Sequence, residues 1–167
     1  MNHRLASFWQ HVDATPAGAA IAANLDADDL NEAAAVLTTR GVRVERLAFK
    51  QCQRAGTMLA IANVLGFPSY FGENWMAFDE CIGDREFQPR VATVLLIEDS
   101  FRVLRVTRGA MLRVFESIQD GRAASNYAHM PEIEFPPLWV VLNFLRREHM
   151  GPALEGVPRI LRAVPEA

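Results

Sequence analysis

The chain has 167 residues, half of them hydrophobic, and a formal net charge of −3 at pH 7. This length and composition predict one globular domain, large enough to bury a core and to have extensions. Because the mild acidity comes with basic residues that are scattered along the chain, neither a nucleic acid nor an anionic membrane is expected as a partner.

The N-terminal forty residues are the hardest part of the chain to assign. Residues 19–25 suit either a short strand or a helix, whereas residues 28–38 are predicted to form a helix with Asp26 as its N-cap. We therefore expect residues 1–41 to form an N-terminal extension, which would include an added strand-helix pair if residues 19–25 are a strand.

Three later segments have the patterns of strands. Residues 42–49 alternate at their start, whereas residues 92–97 and 138–144 are nearly continuous apolar runs. Such runs are typical of strands covered on both faces, which favours a parallel sheet between layers of helices. The intervening helices are predicted at residues 54–65, 75–82 and 111–120. This order of strands and helices implies right-handed crossovers.

The main domain is accordingly predicted to span residues 42–144. Its expected fold is α/β, with a small, mostly three-stranded parallel sheet flanked by helices in three layers. Residues 121–137 contain several prolines and are predicted to be a surface connection. The tail, residues 145–167, is rich in proline and glycine and is expected to be loosely docked.

The cysteines and the N-terminus indicate the compartment. Cys52 and Cys81 fit no metal-binding or redox spacing and are predicted to be reduced and buried, with a disulfide between them as the less favoured alternative. Residues 1–16 lack the apolar stretch and cleavage site of a signal peptide, and no run reaches the ~18 apolar residues of a membrane span. We therefore expect a cytoplasmic protein.

Residues 67–86 form the most informative segment. They contain five acidic residues and one arginine, a local net charge of −4, while the rest of the chain sums to +1. Clustered charge of one sign attracts a partner of the opposite sign and speeds its association in a salt-dependent way. A solvated helix face has the same composition, so the charge alone leaves both interpretations open.

A tight loop and a helix are predicted within this segment. Gly72 is expected to take a positive φ, and Asn74 is expected to cap the helix that follows. On a helical wheel Trp75, Phe78 and Ile82 lie on one side, which must therefore face the core.

The opposite side of the same helix is predicted to be exposed. Met76 and Glu80, four residues apart, share it. An exposed methionine beside Tyr70 and Phe71 would leave apolar surface in water next to carboxylates, which is typical of a protein-binding surface. For Phe71 the alternative is that it packs beneath the loop.

The run PSYFGENW at residues 68–75, followed by an acidic helix, resembles the barstar family, small cytoplasmic inhibitors of secreted bacterial ribonucleases. The resemblance extends over residues 42–144 in the order of elements. It implies a barstar-like fold, no catalytic activity and no cofactor. The implied partner is a basic secreted ribonuclease or toxin domain, whose phosphate-binding site would be filled by carboxylates.

The resemblance also implies which residues bind the partner. Tyr70 and Glu80 stand where the family has its contact tyrosine and its principal contact aspartate, while Met76 replaces a second aspartate. The predicted partner-binding residues are Tyr70, Phe71, Gly72, Glu73, Asn74, Met76, Asp79 and Glu80. The chain is thus predicted to be an immunity protein, with an interaction module that has lost inhibition as the alternative.

An enzyme is the alternative from a different functional class. The four histidines are dispersed, and the sequence has neither a phosphate-binding glycine loop nor a nucleophile elbow. A hydrolase or transferase would need a pocket at the carboxyl ends of the parallel strands, near Glu98, Asp99 and Asn143. We therefore predict no catalytic residues and no metal, and the sequence does not indicate the oligomeric state.

Overall fold

The computed structural model describes residues 20–83, 92–123, 138–155, 157 and 160–163, together with Ala6, Phe8 and Gln10. Within them, one parallel sheet contains β1 (Ala20–Ala23), β2 (Arg43–Leu47), β3 (Thr93–Ile97), β4 (Leu138–Asn143) and β5 (Ile160–Ala163). The strand order is β2-β3-β4-β1-β5. The helices are α1 (Ala27–Thr39), α2 (Phe49–Ala55), α3 (Thr57–Leu65), α4 (Trp75–Gly83), α5 (Ser100–Ala123) and α6 (Met150–Leu154), with a 3-10 turn at Arg147–His149.

The helices cover both faces of the sheet because its connections run in two directions. From β1 the chain crosses to the far edge at β2, and from there it returns through β3 and β4 and passes β1 to reach β5. Right-handed crossovers that run in opposite directions place their helices on opposite faces. Thus α1 lies on one face and α2–α6 lie on the other, which confirms the predicted three-layer α/β class.

Each face of the sheet has its own core. The smaller core, beneath α1, includes Phe8, Ile21, Leu30, Leu37 and Leu96. The larger core, beneath α2–α6, includes Ile61, Phe78, Leu95, Met111 and Phe144. Every residue of β3 is buried, as its continuous apolar sequence predicts for a strand covered on both faces.

The sheet is wider than the three strands predicted. The ambiguous segment at residues 19–25 forms β1, which pairs with both β4 and β5. The predicted N-cap of α1 is confirmed, since Asp26 Oδ1 accepts a hydrogen bond from the backbone N of Asp29 at 2.9 Å. The division of the chain at residues 41 and 144 stays a prediction.

The expectation of a loosely docked tail is wrong for the segment that contains α6. Met150, Ala153 and Leu154 are buried in the larger core. Arg108 of α5 also donates a hydrogen bond from Nη1 to the carbonyl oxygen of Ala153 at 2.7 Å, and from Nη2 to that of Glu155. The apolar side chains of this short helix are spaced so that they face α5. Their burial stabilises the docked position of the helix although it contains proline and glycine.

Two helices differ from their predicted bounds. The helix expected at residues 54–65 is two helices, because Gly56, at φ 80° and ψ 154°, separates α2 from α3. The helix expected from residue 111 begins at Ser100 and continues to Ala123. It is kinked at Thr107 (φ −126°, ψ 28°), where the threonine hydroxyl donates to the carbonyl oxygen of Val103 at 2.8 Å. Most of the predicted connection at residues 121–137 lies outside the described residues.

The backbone at Gly56 leads to a prediction about stability. Its φ and ψ lie in a region that side chains other than glycine essentially do not adopt, although an added Cβ would meet no atom within 4 Å. Gly56→Ala is expected to lower the free energy of unfolding by about 1–2 kcal/mol, measured by urea denaturation. The matched control is Gly109→Ala in α5, which also has open space at Cβ and should stabilise the protein by about 0.5 kcal/mol. Equal effects of the two substitutions would contradict this prediction.

Both cysteines are buried, as predicted, and neither forms a disulfide. Burial raises the pKa of the Cys52 thiol, which lies beside the Thr57 hydroxyl. We expect an aromatic disulfide reagent to label both thiols only when the protein opens, because both are buried and because the thiolate, the reactive form, is disfavoured at Cys52. Labelling would be followed at pH 8 with and without denaturant. Fast labelling of one thiol in the native protein would contradict its burial.

Among the described helices, none is both long and apolar enough to cross a lipid bilayer.

Candidate partner-binding face

The loop between α3 and α4 is fixed by a cluster of aromatic rings. Phe67 contacts Phe71 edge-on, with ring centroids 5.2 Å apart, and contacts Phe78 at 5.1 Å. Phe71 in turn lies 6.5 Å from Phe78. Phe71 is therefore half-buried and packs beneath the loop, as the alternative for this residue predicted. These contacts tie the loop to the larger core and make it rigid.

The turn before α4 is built around the side chain of Asn74. Its Oδ1 accepts a hydrogen bond from the backbone N of Ala77 at 3.0 Å, and its Nδ2 donates to the carbonyl oxygen of Gly72 at 2.9 Å. Asn74 thus caps α4, as predicted.

The positive φ expected at Gly72 is wrong, because the left-handed residue is Glu73, with φ 52°. Space is tight at Gly72, however. A Cβ there would lie 3.1 Å from Nδ2 of Asn74, so the capping amide would have to shift by a few tenths of an ångström.

Helix α4 has the orientation that the helical wheel predicted. Phe78, Cys81 and Ile82 are buried, and Trp75 is half-buried in an edge-on contact with Phe78 at 5.5 Å. On the opposite side Met76 and Glu80 are exposed.

This side of the molecule exposes large apolar side chains. Four large hydrophobic residues are exposed within the part of the chain that the structure describes, and two of them are Tyr70 at 66% and Met76 at 72%. The carboxylates of Glu73 and Glu80, on the same loop and helix, are also exposed. We call Tyr70, Glu73, Met76 and Glu80 the α4 face. It combines exposed apolar and exposed charged side chains on one loop and helix, a composition found in many protein-binding surfaces.

Asp79, which was predicted to contact the partner, forms an ion pair inside the chain. Its Oδ2 accepts a hydrogen bond from Nη2 of Arg113 on α5. The same guanidinium lies 5.8 Å from the centre of the Trp75 ring, and its Nη1 is 3.8 Å from Oε2 of Glu116. Arg113 therefore joins α4 to α5 at the border of the α4 face. Sequence reasoning missed this contact, because the paired residues are 34 apart and on different helices.

Asn143 is one of the residues near which an enzyme site was considered. Its side chain links the end of β4 to the segment that follows β1. Its buried side-chain amide accepts a hydrogen bond from the backbone N of Leu25 at 2.9 Å and donates to the carbonyl oxygen of Leu25 at 3.1 Å. A concavity of about 240 Å³ lies between α5 and α6. Its lining residues are Phe101, Leu104, Arg105, Arg108, Pro152 and Ala153. Asn143 is therefore not aimed into that concavity.

The two carboxylates considered with Asn143 also have structural partners. Glu98 forms an ion pair with Arg46 at 2.5 Å. Asp99 caps α5 by accepting a hydrogen bond from the backbone N of Arg102 at 3.3 Å, and it pairs with the guanidinium of the same residue at 3.4 Å. Both groups therefore have partners within the chain. In the described ranges no three histidine, cysteine or acidic side chains are grouped as a metal site requires.

A sequence profile of the family described as Barstar (barnase inhibitor) matches residues 42–142, more than half of the chain. The chain belongs to the barstar family. The parallel sheet flanked by helices fits this family, and the matched region contains the whole α4 face. Strands β1 and β5 and helices α1 and α6 lie outside the match. A search of curated proteins returns no match. The family is described as one of inhibitors. An inhibitor of this kind acts by binding another protein and not by catalysis.

Proposed function

We propose that this barstar-family protein is a cytoplasmic immunity protein that binds and blocks a basic ribonuclease or a related toxin domain. The single observation that supports this most is the α4 face, where Tyr70, Met76 and the carboxylates of Glu73 and Glu80 are all exposed on one loop and helix within the family match. The proposed partner-binding residues are Tyr70, Phe71, Gly72, Glu73, Asn74, Met76 and Glu80, whereas Asp79, which was predicted with them, is paired with Arg113. Neither nucleic acid nor membrane is a proposed partner.

The geometry of the loop and α4 suits inhibition by direct blocking. The loop is held by the aromatic cluster and by the Asn74 cap, so little conformational entropy is lost when it binds. The carboxylates of Glu73 and Glu80 would attract a cationic active site and accelerate association. Tyr70 and Met76 would supply the apolar contact area that slows dissociation.

The alternative is an interaction module that does not inhibit a ribonuclease. Two features of the face favour it. Met76 has no charge where the family usually has an aspartate, and Asp79 is already paired with Arg113. A face with fewer available carboxylates is a weaker substitute for RNA phosphates.

A calorimetric titration of the protein into barnase separates these two functions, with RNA cleavage followed in parallel at low and high salt. Tight one-to-one binding that weakens with salt and stops cleavage would support the inhibitor. Binding without inhibition would favour the interaction module. No heat and undiminished cleavage would exclude barnase-type ribonucleases as the partner.

A further inference from the structure

The Asp79 carboxylate is directed toward other groups of the chain through both of its oxygens. Oδ2 is occupied by Arg113, and Oδ1 is buried and accepts no hydrogen bond from any group that the structure describes. The two side chains are only partly exposed, 38% for Arg113 and 36% for Asp79. The Trp75 ring below the guanidinium and the Glu116 carboxylate beside it also favour this position of Arg113.

We infer that Arg113 is a specificity-determining residue, which neutralises Asp79 within the chain and makes the face favour a partner with an apolar recess over a uniformly cationic one. The inference rests on the proposed function in one respect, namely that the partner is a basic protein. A cation that approached Asp79 would meet a guanidinium already bound there, and such a like-charge encounter discriminates between partners.

The remaining groups define what this partner must present. Tyr70 and Met76 need an apolar surface to cover them, and the exposed carboxylates of Glu73 and Glu80 need cations at its edge. A partner with an apolar recess and a few peripheral cations satisfies all of these groups. A site with cations throughout, built for several phosphates, would leave a cation opposite Arg113.

The first test measures the charge of the face with a probe that does not depend on the proposed function. The binding of a fluorescent nona-arginine peptide is followed by anisotropy at low and high salt. Arg113→Gln should tighten binding about threefold at low salt, the effect of one unmasked charge at about 7 Å in water, and the gain should fall at high salt.

Three further variants make this test specific. Arg102→Gln removes another arginine of α5, which is 63% exposed and paired with Asp99, and changes the net charge by the same amount. It should tighten peptide binding less than Arg113→Gln. Asp79→Asn/Arg113→Gln should return the affinity to that of the unmodified protein, and Arg113→Lys should retain it. Equal effects of the two single glutamine variants, or failure of Arg113→Lys to retain the original affinity, would overturn the inference.

A second test uses barnase and separates the inference from the proposed function. If barnase binds, Arg113→Gln should raise its association rate about threefold relative to the unmodified protein, and more than Arg102→Gln does. Equal association rates would overturn the inference and leave the proposed function standing. If barnase does not bind any variant while the peptide results hold, the proposed ribonuclease partner is wrong and the role of Arg113 stands.

Discussion

Phe78→Ala is expected to lower the free energy of unfolding by about 3–5 kcal/mol, the usual cost of removing a buried phenylalanine. Phe78 is 0% exposed and contacts Phe67, Phe71 and Trp75, so its loss would leave a cavity between the loop and α4. The neighbouring rings are held by the loop and the helix and cannot close that cavity fully. Urea unfolding followed by circular dichroism measures the change.

Two control variants show whether this loss depends on the site. Phe78→Leu keeps most of the apolar volume and should cost less than half as much. Phe101→Ala removes a half-buried ring, which stacks on His149 with centroids 4.0 Å apart, and should also cost less. Equal losses for Phe78→Ala and Phe101→Ala would contradict the central position of Phe78 in the larger core.

Glu80→Ala is expected to weaken the binding of a basic ribonuclease by about 2 kcal/mol, roughly thirtyfold, which is typical of an interface hot spot. Its side chain is exposed on α4, so the melting temperature should be unchanged. Part of the loss should appear in the association rate and should shrink at high salt, because the carboxylate acts partly by long-range attraction. Titration into barnase at two salt concentrations measures both effects.

The matched control for Glu80 is Glu32, an exposed glutamate on α1 at the other face of the sheet. Glu32→Ala changes the net charge by the same amount and should leave the affinity within twofold. If the two alanine variants bound barnase equally tightly, Glu80 would not belong to the binding site.

The parts of the fold that were predictable from the sequence are those set by local pattern. The continuous apolar runs identified β3 and β4, because a strand covered on both faces has no polar side to alternate with. The helical wheel placed Phe78 and Ile82 inward and Met76 outward, since the side-chain direction follows from position along the helix. The cap at Asn74 was likewise a local feature.

The parts that were not predictable depend on contacts between distant residues. β1 has four residues, too few for a pattern to separate a strand from a helix, and its identity is decided by pairing with β4 and β5. The pair of Asp79 and Arg113 depends on how α4 packs on α5. The close approach of Gly72 to the Asn74 amide is likewise a distance that is visible only in the folded turn.

The place of β1 in the sheet also affects how the protein is made. In the sheet β1 lies between β4 and β5, where Ala23 is opposite Asn143 on one side and Ala163 on the other. A ribosome adds ~5–20 residues per second, so β1 precedes β5 by roughly 7–28 s during translation. Until β4 has been synthesised, this short apolar segment has neither of its neighbouring strands to pair with. The sheet is therefore completed only after β5 has been synthesised, and pairing over such sequence separations is intrinsically slow.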